Sequence, residues 1–332
     1  MNTTCMNNTL DGLSSGYMKY SYIHFTIAAA VVLGLCIFGL IGNVIVFWYL
    51  CFKIQRNKYT VYIMNLSVAD ALFIVFTMII LMIHINILVG TNPEFIGLEQ
   101  LYLFAEIFYD ATQYSGMFIL TAVSIERCSS VLFPLWYQGH RPANLSAVMC
   151  TVLWVLGCFE SLLKNLVCTP EVFEKQSLQC SAVQIMVFVL AIGICLPIMI
   201  ISSFTLLIKV KRTIKQQYTP KLFIIIIAAV LVFILSVLPF NFLWFLMYFK
   251  LLLKDIDTVS VFFGMVFATV LNSIVNPYIY YIVGWKRKQK SSNSIHEALQ
   301  RAFRDKDDEE KVDLKDNKST STSSKTILTV AS

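Results

Sequence analysis

Apolar runs long enough to cross a bilayer, each of about 20 helical residues at ~1.5 Å rise, recur all along this 332-residue chain. One or two such runs could be buried core helices of a soluble body. This many cannot, because only 14% of the residues are charged, 57% are hydrophobic and the mean hydropathy is +0.70, which leaves too little polar material to cover them. Lipid must cover the rest. Hydropathy read with turn and charge signals predicts spans at 22–52, 61–89, 99–127, 145–167, 181–208, 222–250 and 258–283. The fold class is therefore an all-α membrane protein, a seven-transmembrane helix bundle whose termini lie on opposite sides.

The basic residues set the expected orientation. Lys53, Arg56 and Lys58 follow the first span, Arg141 the third, Lys209, Lys211, Arg212, Lys215 and Lys221 the fifth, and Lys286, Arg287, Lys288 and Lys290 the seventh. The alternate loops carry Glu94, then Glu171, Glu174 and Lys175, then Lys254, Asp255 and Asp257. The positive-inside bias puts the N-terminus outside and the C-terminus in the cytosol. Sequons at Asn2 and Asn7 agree, so residues 1–21 read as an extracellular glycosylated segment ahead of a membrane domain over 22–283. That segment lacks the basic flank and short apolar core of a cleavable signal, and the first span is expected to direct its own insertion. The net charge of +6 is not a nucleic-acid footprint, because the basic residues sit in short loops and beyond the last span.

Past the seventh span, residues 284–304 carry Trp285, a basic stretch and then Ile295, Leu299 and Phe303 four apart. This pattern predicts a short amphipathic cytoplasmic helix on the membrane surface, a soluble tail helix being the alternative. Residues 305–332, with the acidic run Asp307 to Glu310 and a cluster from Ser319 to Ser324 and Thr326, read as a disordered cytoplasmic tail open to kinases.

Cys36, Cys51, Cys128, Cys150, Cys158 and Cys195 fall in or beside spans and read as small buried side chains. Cys5, Cys168 and Cys180 face the oxidising side; Cys5 has no evident partner. A bond between Cys168 and Cys180 would pin a short loop and contribute on the order of 3 kcal/mol.

Polar residues at membrane depth carry the functional information, since a charge at the helix centre costs at least roughly 2.5–3.5 kcal/mol. Asp70 lies mid-span, with Asn43, Asn272 and Asn276 as polar partners on other spans. It is either polar glue between helices or the centre of a cavity holding a sodium ion or a proton. Glu126 and Arg127 end the third span, where an arginine can be held by its neighbour and released toward a partner. Pro197, Pro239 and Pro277 interrupt spans five, six and seven. Glu106, Asp110 and Gln113 share one face of span three, and Asp110 lies 17 residues before Arg127, about 25 Å toward the outer side. A ligand pocket lined by Tyr109, Tyr114, Trp244 and Phe245 suits that depth. The alternative leaves both carboxylates solvated or paired with Lys250 or Lys164.

Gly42-Asn43, Leu66-Ser67-Val68-Ala69-Asp70, Glu126-Arg127-Cys128, Trp154, the prolines of spans five and six, and Asn276-Pro277-Tyr278-Ile279-Tyr280 occur in order, each at its own span and depth. The arrangement resembles the rhodopsin-like (class A) G-protein-coupled receptors. Within them it is most similar to Mas and the Mas-related receptors, in Tyr59-Thr60-Val61-Tyr62-Ile63, Ser124-Ile125-Glu126-Arg127-Cys128, Pro134-Leu135-Trp136-Tyr137, His140-Arg141-Pro142 and Tyr280-Tyr281-Ile282-Val283-Gly284. Tyr102, where most relatives have a cysteine at the top of span three, also fits.

The resemblance implies a multi-pass plasma-membrane receptor that binds an extracellular ligand and promotes nucleotide exchange on a heterotrimeric G protein, Gq or Gi. It assigns coupling and activation to Glu126, Arg127, Asn276, Pro277 and Tyr280, a disulfide to Cys168 and Cys180, and shut-off to a receptor kinase and arrestin. The chain departs from the pattern at Cys128, where a tyrosine is usual, and at Val237, where the aromatic toggle is usual. Thr219, Pro220 and Lys221 stand where an acidic partner often locks the span-three arginine, so appreciable ligand-free signalling is expected. Tyr109 stands where aminergic receptors have an aspartate, which argues against a monoamine. Lys164 replaces the glutamate through which several Mas-related receptors bind cationic peptides; the Glu106 and Asp110 face still favours a basic or mixed-charge peptide. A seven-span transporter or channel is the rival reading, but repeated halves and mid-membrane breaks are not evident. An enzyme is not expected: His24, His84, His140 and His296 are scattered, and the one cofactor considered is a sodium ion near Asp70.

Overall fold

The computed structural model describes residues 3–54, 56–89, 97–169, 177–213, 221–251, 258–284 and 295–303. Among them all regular structure is helical. In chain order the helices are α1 (Thr3–Phe52), α2 (Thr60–Val89), α3 (Leu98–Leu132), the short α4 (Pro134–Gly139), α5 (Leu145–Val167), α6 (Leu178–Phe188), a π-helical stretch Val189–Cys195, α7 (Leu196–Thr213), α8 (Lys221–Tyr248), α9 (Thr258–Gly284) and α10 (Ile295–Phe303). Seven stretches are long and apolar enough to cross a membrane, the fifth combining α6, the π stretch and α7 as Leu178–Ile208.

The boundaries differ most from expectation at the start of α1, at the end of α3 and at the end of α7, which runs to Thr213 against the predicted 208. Helix α1 begins at Thr3, so the helix of the first span takes in most of the stretch read as a separate N-terminal segment. Helix α3 runs to Leu132, five residues past the predicted 127, and ends at Phe133 (φ −125°, ψ 60°), which the following Pro134 excludes from the α region. Asn2, the side chains of Cys5 and Asn7, Trp285 with its basic stretch, Thr219, Pro220 and the tail beyond Phe303 lie outside the described residues.

Large apolar side chains cover the outer faces: Phe159 and Phe204 are each 62% exposed and Leu235 is 75% exposed. In water such a surface would drive aggregation, whereas in lipid it is the matched surface. Inside, α3 packs against α2, α5 and α7, and α9 against α8, α1 and α2. The central core gathers Tyr62, Leu66, Ile119, Val123, Cys150, Met199, Ile226 and Phe233 from five helices.

Local chemistry fixes the elements that matter below. Asn57 caps α2, accepting hydrogen bonds from the Tyr59 and Thr60 amides (3.0 and 2.9 Å), while Thr60 Oγ1 accepts from the Asn57 amide (2.8 Å). The cap sets Tyr59 at the mouth of the bundle. In α9, Pro277 has no N–H to donate to the Ser273 carbonyl one turn back, and Asn43 of α1 takes the vacant role, its Nδ2 donating to that oxygen at 3.1 Å. The helices meet closely here: a Cβ on Gly42 would lie 3.1 Å from Pro277 Cβ. Helix α10 tucks Ala298, Leu299 and Ala302 into the end of the bundle, Leu299 packing in the cluster that holds Ile279 and Tyr280.

Candidate functional site

Three polar systems lie inside the apolar bundle. The first sits in the half that carries the Cys168–Cys180 disulfide, which joins the end of α5 to the start of α6. A cavity of about 140 Å³ there is lined by Glu106, Tyr109, Asp110, Gln113, Lys164 and Trp244, among others. Of the residues expected to line a pocket, Glu106, Tyr109, Asp110, Gln113, Tyr114 and Trp244 thus share one space, together with Lys164. Phe245 does not line it; its ring stacks on Phe188 at 3.9 Å between centroids. Asp110 is 2% exposed and is held by two donors through three hydrogen bonds: Lys164 Nζ donates to Oδ1 (2.8 Å) and Oδ2 (2.9 Å), and Asn165 Nδ2 donates to Oδ2 (2.8 Å). Of the two lysines left open by the sequence, Lys164 is the partner. Ser161 Oγ donates to the Ile107 carbonyl at 2.6 Å and fastens α5 to α3 one turn from the ion pair.

The second system is the Asp70 cavity, about 50 Å³, lined by Asp70, Gly116, Val237, Asn272, Ser273 and Asn276 together with apolar neighbours. Asn276 Nδ2 donates to Asp70 Oδ2 at 2.8 Å. Asn272 Oδ1 and Asn276 Oδ1 are buried without a hydrogen-bond partner among the described residues. A buried carbonyl oxygen left so is costly, by about 1–3 kcal/mol. Gln113, Tyr114, Val187 and Asn241 line both cavities, so the two adjoin. Val237, in the position of the usual tryptophan, lines the lower one.

The third system closes the opposite end, and it corrects the expected pairing of Glu126 with Arg127. Glu126 forms its ion pair with Arg141 Nε, on the segment between α4 and α5, and also accepts from Tyr62 Oη at 3.5 Å. Arg141 Nη2 donates to Ser146 Oγ (2.6 Å), which donates in turn to the Lys58 carbonyl (2.7 Å). Burial alone would lower the Arg141 pKa; the hydrogen bond and charge of Glu126 more than offset it and hold the guanidinium above its ordinary value. Arg127 is 4% exposed and its guanidinium sits over the Tyr59 ring, which stacks on Tyr137 at 5.9 Å. Lys58 Nζ donates to the Tyr137 carbonyl at 3.0 Å. Three separate chain segments therefore converge on the end of α3. Pro277 and Tyr280 of α9 are both buried, Tyr280 to 1% exposure.

Two features escape motif reading. Arg141 looks like one more topological charge in a loop, and no pattern marks it as a partner for Glu126. Glu160 of α5 is 3% exposed, with neither carboxylate oxygen hydrogen-bonded among the described residues. The signal for it was present: an acid in the middle of a span, at the same level of improbability as Asp70.

Residues 42–280 match the family model described as 7 transmembrane receptor (rhodopsin family). The chain is 32% identical over 310 residues to the mouse Proto-oncogene Mas, covering 92% of this chain and 90% of that one. It is 33% identical over 312 residues to Mas-related G-protein coupled receptor member D of Macaca fascicularis, covering 92% and 94%. It is 34% identical over 279 residues to Mas-related G-protein coupled receptor member A6 of the mouse, covering 83% and 89%. These relatives are receptors rather than enzymes. By motif order, helix architecture and similarity over most of its length, the chain belongs to the rhodopsin family of seven-transmembrane receptors and, within it, to the Mas-related G-protein-coupled receptors.

Proposed function

We propose that the protein is a plasma-membrane receptor, N-terminus outside and C-terminus in the cytosol, that binds an extracellular basic or mixed-charge peptide at the Asp110 cavity and drives nucleotide exchange on Gq or Gi. The observation that carries this reading is that one continuous helix bears both ends of the device. Asp110 lies in a cavity in one half of α3, and Arg127, 17 residues on, lies among loop residues at the other end. An agonist acts only through its preference for one of two packings of the bundle. In the active packing, span six moves away from span three and Arg127 leaves Tyr59 to meet the G protein. The carboxylates of Glu106 and Asp110 outnumber the single amine of Lys164 in the cavity lining, which favours a cationic group on the ligand.

The Asp70 cavity fits a sodium ion. A carboxylate and two amide oxygens without hydrogen-bond partners among the described residues would supply the all-oxygen set that a hard cation takes. Asp70, Asn272 and Asn276 would hold it, with Asn43 bonded to the Ser273 carbonyl alongside. The Ser/Thr-rich tail serves receptor kinases and arrestin.

The test is guanine-nucleotide exchange in membranes of expressing cells, challenged with a library of basic peptides and read beside calcium release. Exchange that rises in the wild type and not in Arg127→Ala at equal surface density supports the reading. Peptide-driven calcium entry or current that survives Arg127→Ala sinks it.

A further inference from the structure

Lys164 is bonded to one acid, with Glu106 in the same cavity lining and a further acid one turn back on its own helix. Its Nζ is bonded to Asp110, at 2.8 and 2.9 Å, and Glu160 lies one turn back on the same helix, within electrostatic reach of both. Glu160 is sealed in: Gly157, one turn further back, lies so close to α3 that a Cβ there would collide with Ser115 Oγ and come 3.1 Å from the Ala111 carbonyl. Neither oxygen of Glu160 has a hydrogen-bond partner among the described residues. An ionised carboxylate so placed lacks compensation, and a protonated one still leaves a donor and its acceptors unmatched. Among the described residues the cation within reach is Lys164, now committed to Asp110. Helix geometry favours the alternative contact: side chains lean toward the helix N-terminus, and glutamate followed by lysine four residues on is the better order for a pair.

We infer that Glu160 is the second station of Lys164: a cationic group on the ligand takes Asp110, and the displaced lysine swings one turn down onto Glu160. The inference rests on the cation-binding reading of the cavity and extends it by naming how the site is vacated. Binding then exchanges one buried ion pair for two, since Asp110 gains the ligand and Lys164 gains Glu160. No charge is left alone at either stage of the bound state. Without Glu160 the displaced ammonium, its side chain 25% exposed, would keep only Glu106 across the cavity, and that makes Glu160 a positioning residue for ligand affinity although it does not line the cavity.

The test uses the full-length receptor in detergent, with the N-acetylated dipeptide amide Ac-Phe-Arg-NH2 as probe and its neutral citrulline counterpart Ac-Phe-Cit-NH2 as control, and reads apparent affinity from melting-temperature titrations. The arginine compound should stabilise the wild type and the citrulline compound should not. Asp110→Asn should abolish the effect, and Glu160→Gln should weaken apparent affinity about tenfold or more. Lys164→Met removes the competitor for Asp110, so it should tighten binding, and Glu160→Gln added to it should change nothing further. Should Lys164→Met fail to fold, Lys164→Gln keeps an amide donor for Asp110 and takes its place. Equal shifts by the two compounds, or none by either, would overturn the cation reading and the inference together. A wild-type affinity retained in Glu160→Gln, or a loss that persists at full size once Lys164 is replaced, would overturn the inference alone.

Discussion

Glu126 is bonded to Arg141, fifteen residues on, while its neighbour Arg127 lies over the ring of Tyr59. The two adjacent residues at the end of α3 are thus restrained by different segments, Glu126 by the loop after α4 and Arg127 by the start of α2. A desolvated cation–π contact is worth about 2 kcal/mol, enough to shift a two-state balance more than tenfold. Tyr59→Leu should therefore raise ligand-free nucleotide exchange several-fold, and Glu126→Gln should raise it less. Measured in membranes at matched surface density, the opposite ranking would mean that Glu126 restrains Arg127 after all. With Thr219 and Pro220 in place of an acidic lock, the wild type itself should show exchange above mock-transfected membranes.

The Glu126–Arg141 pair should behave as a buried ion pair, the Arg141 side chain being 0% exposed and that of Glu126 11%. Removing one partner strands the other, at a cost of about 3–5 kcal/mol, whereas removing both is far milder. Arg141→Met is expected to lower the melting temperature by several degrees, and Arg141→Met combined with Glu126→Leu to recover much of the loss. If the double variant melts at or below the single one, the pair is not what holds that loop to α3.

Sodium sensitivity follows from the Asp70 cavity. Replacing choline chloride with sodium chloride at constant ionic strength should raise the melting temperature and lower ligand-free exchange, and Asp70→Asn should lose both responses. Gly116 offers a gain-of-function arm. A Cβ there would meet Ala69 Cβ at 3.8 Å and Leu66 Cδ1 at 4.0 Å, ordinary contacts, so Gly116→Ser can seat its Cβ and bring a hydroxyl to the wall. Sodium should then act at lower concentration. Equal responses to sodium and choline in the wild type would leave Asp70 as polar glue between helices.

The seven spans were readable because lipid imposes one requirement on every residue of a span, and hydropathy sums it over about 20 positions. The pocket candidates were readable for a related reason, since Glu106, Asp110 and Gln113 follow helical spacing. Partner choice was not. Lys164 and Lys250 are equally plausible ions for Asp110 in sequence, and only the packing of α5 on α3 at Ser161 and Gly157 brings Lys164 across. Arg141 escaped for the same cause, because a loop folds back according to its contacts with Ser146 and Lys58 rather than any periodicity. The start of α1 at Thr3 was hidden by the polar character of the first twenty residues, which carries no hydropathy signal for a helix.

Helix α10 depends on one missing side chain. A Cβ on Gly284 would run into the carbonyl of Ala298, so the last turn of α9 and the body of α10 touch backbone to backbone only because residue 284 is glycine. That contact holds Leu299, 1% exposed, against the cluster containing Tyr280. Gly284→Ala must push α10 outward, and with a backbone carbonyl as the obstacle no rotamer change relieves it; overpacking of this kind costs about 1–3 kcal/mol. The variant should melt lower and be cleaved faster by trypsin at Lys286 to Lys290. Gly34→Ala is the matched control, since a Cβ there meets nothing within 4 Å and the higher helix propensity of alanine should leave stability equal or better by about 0.5–1 kcal/mol. Equal melting and cleavage in the two variants would mean that α10 is not seated on α9 through Gly284.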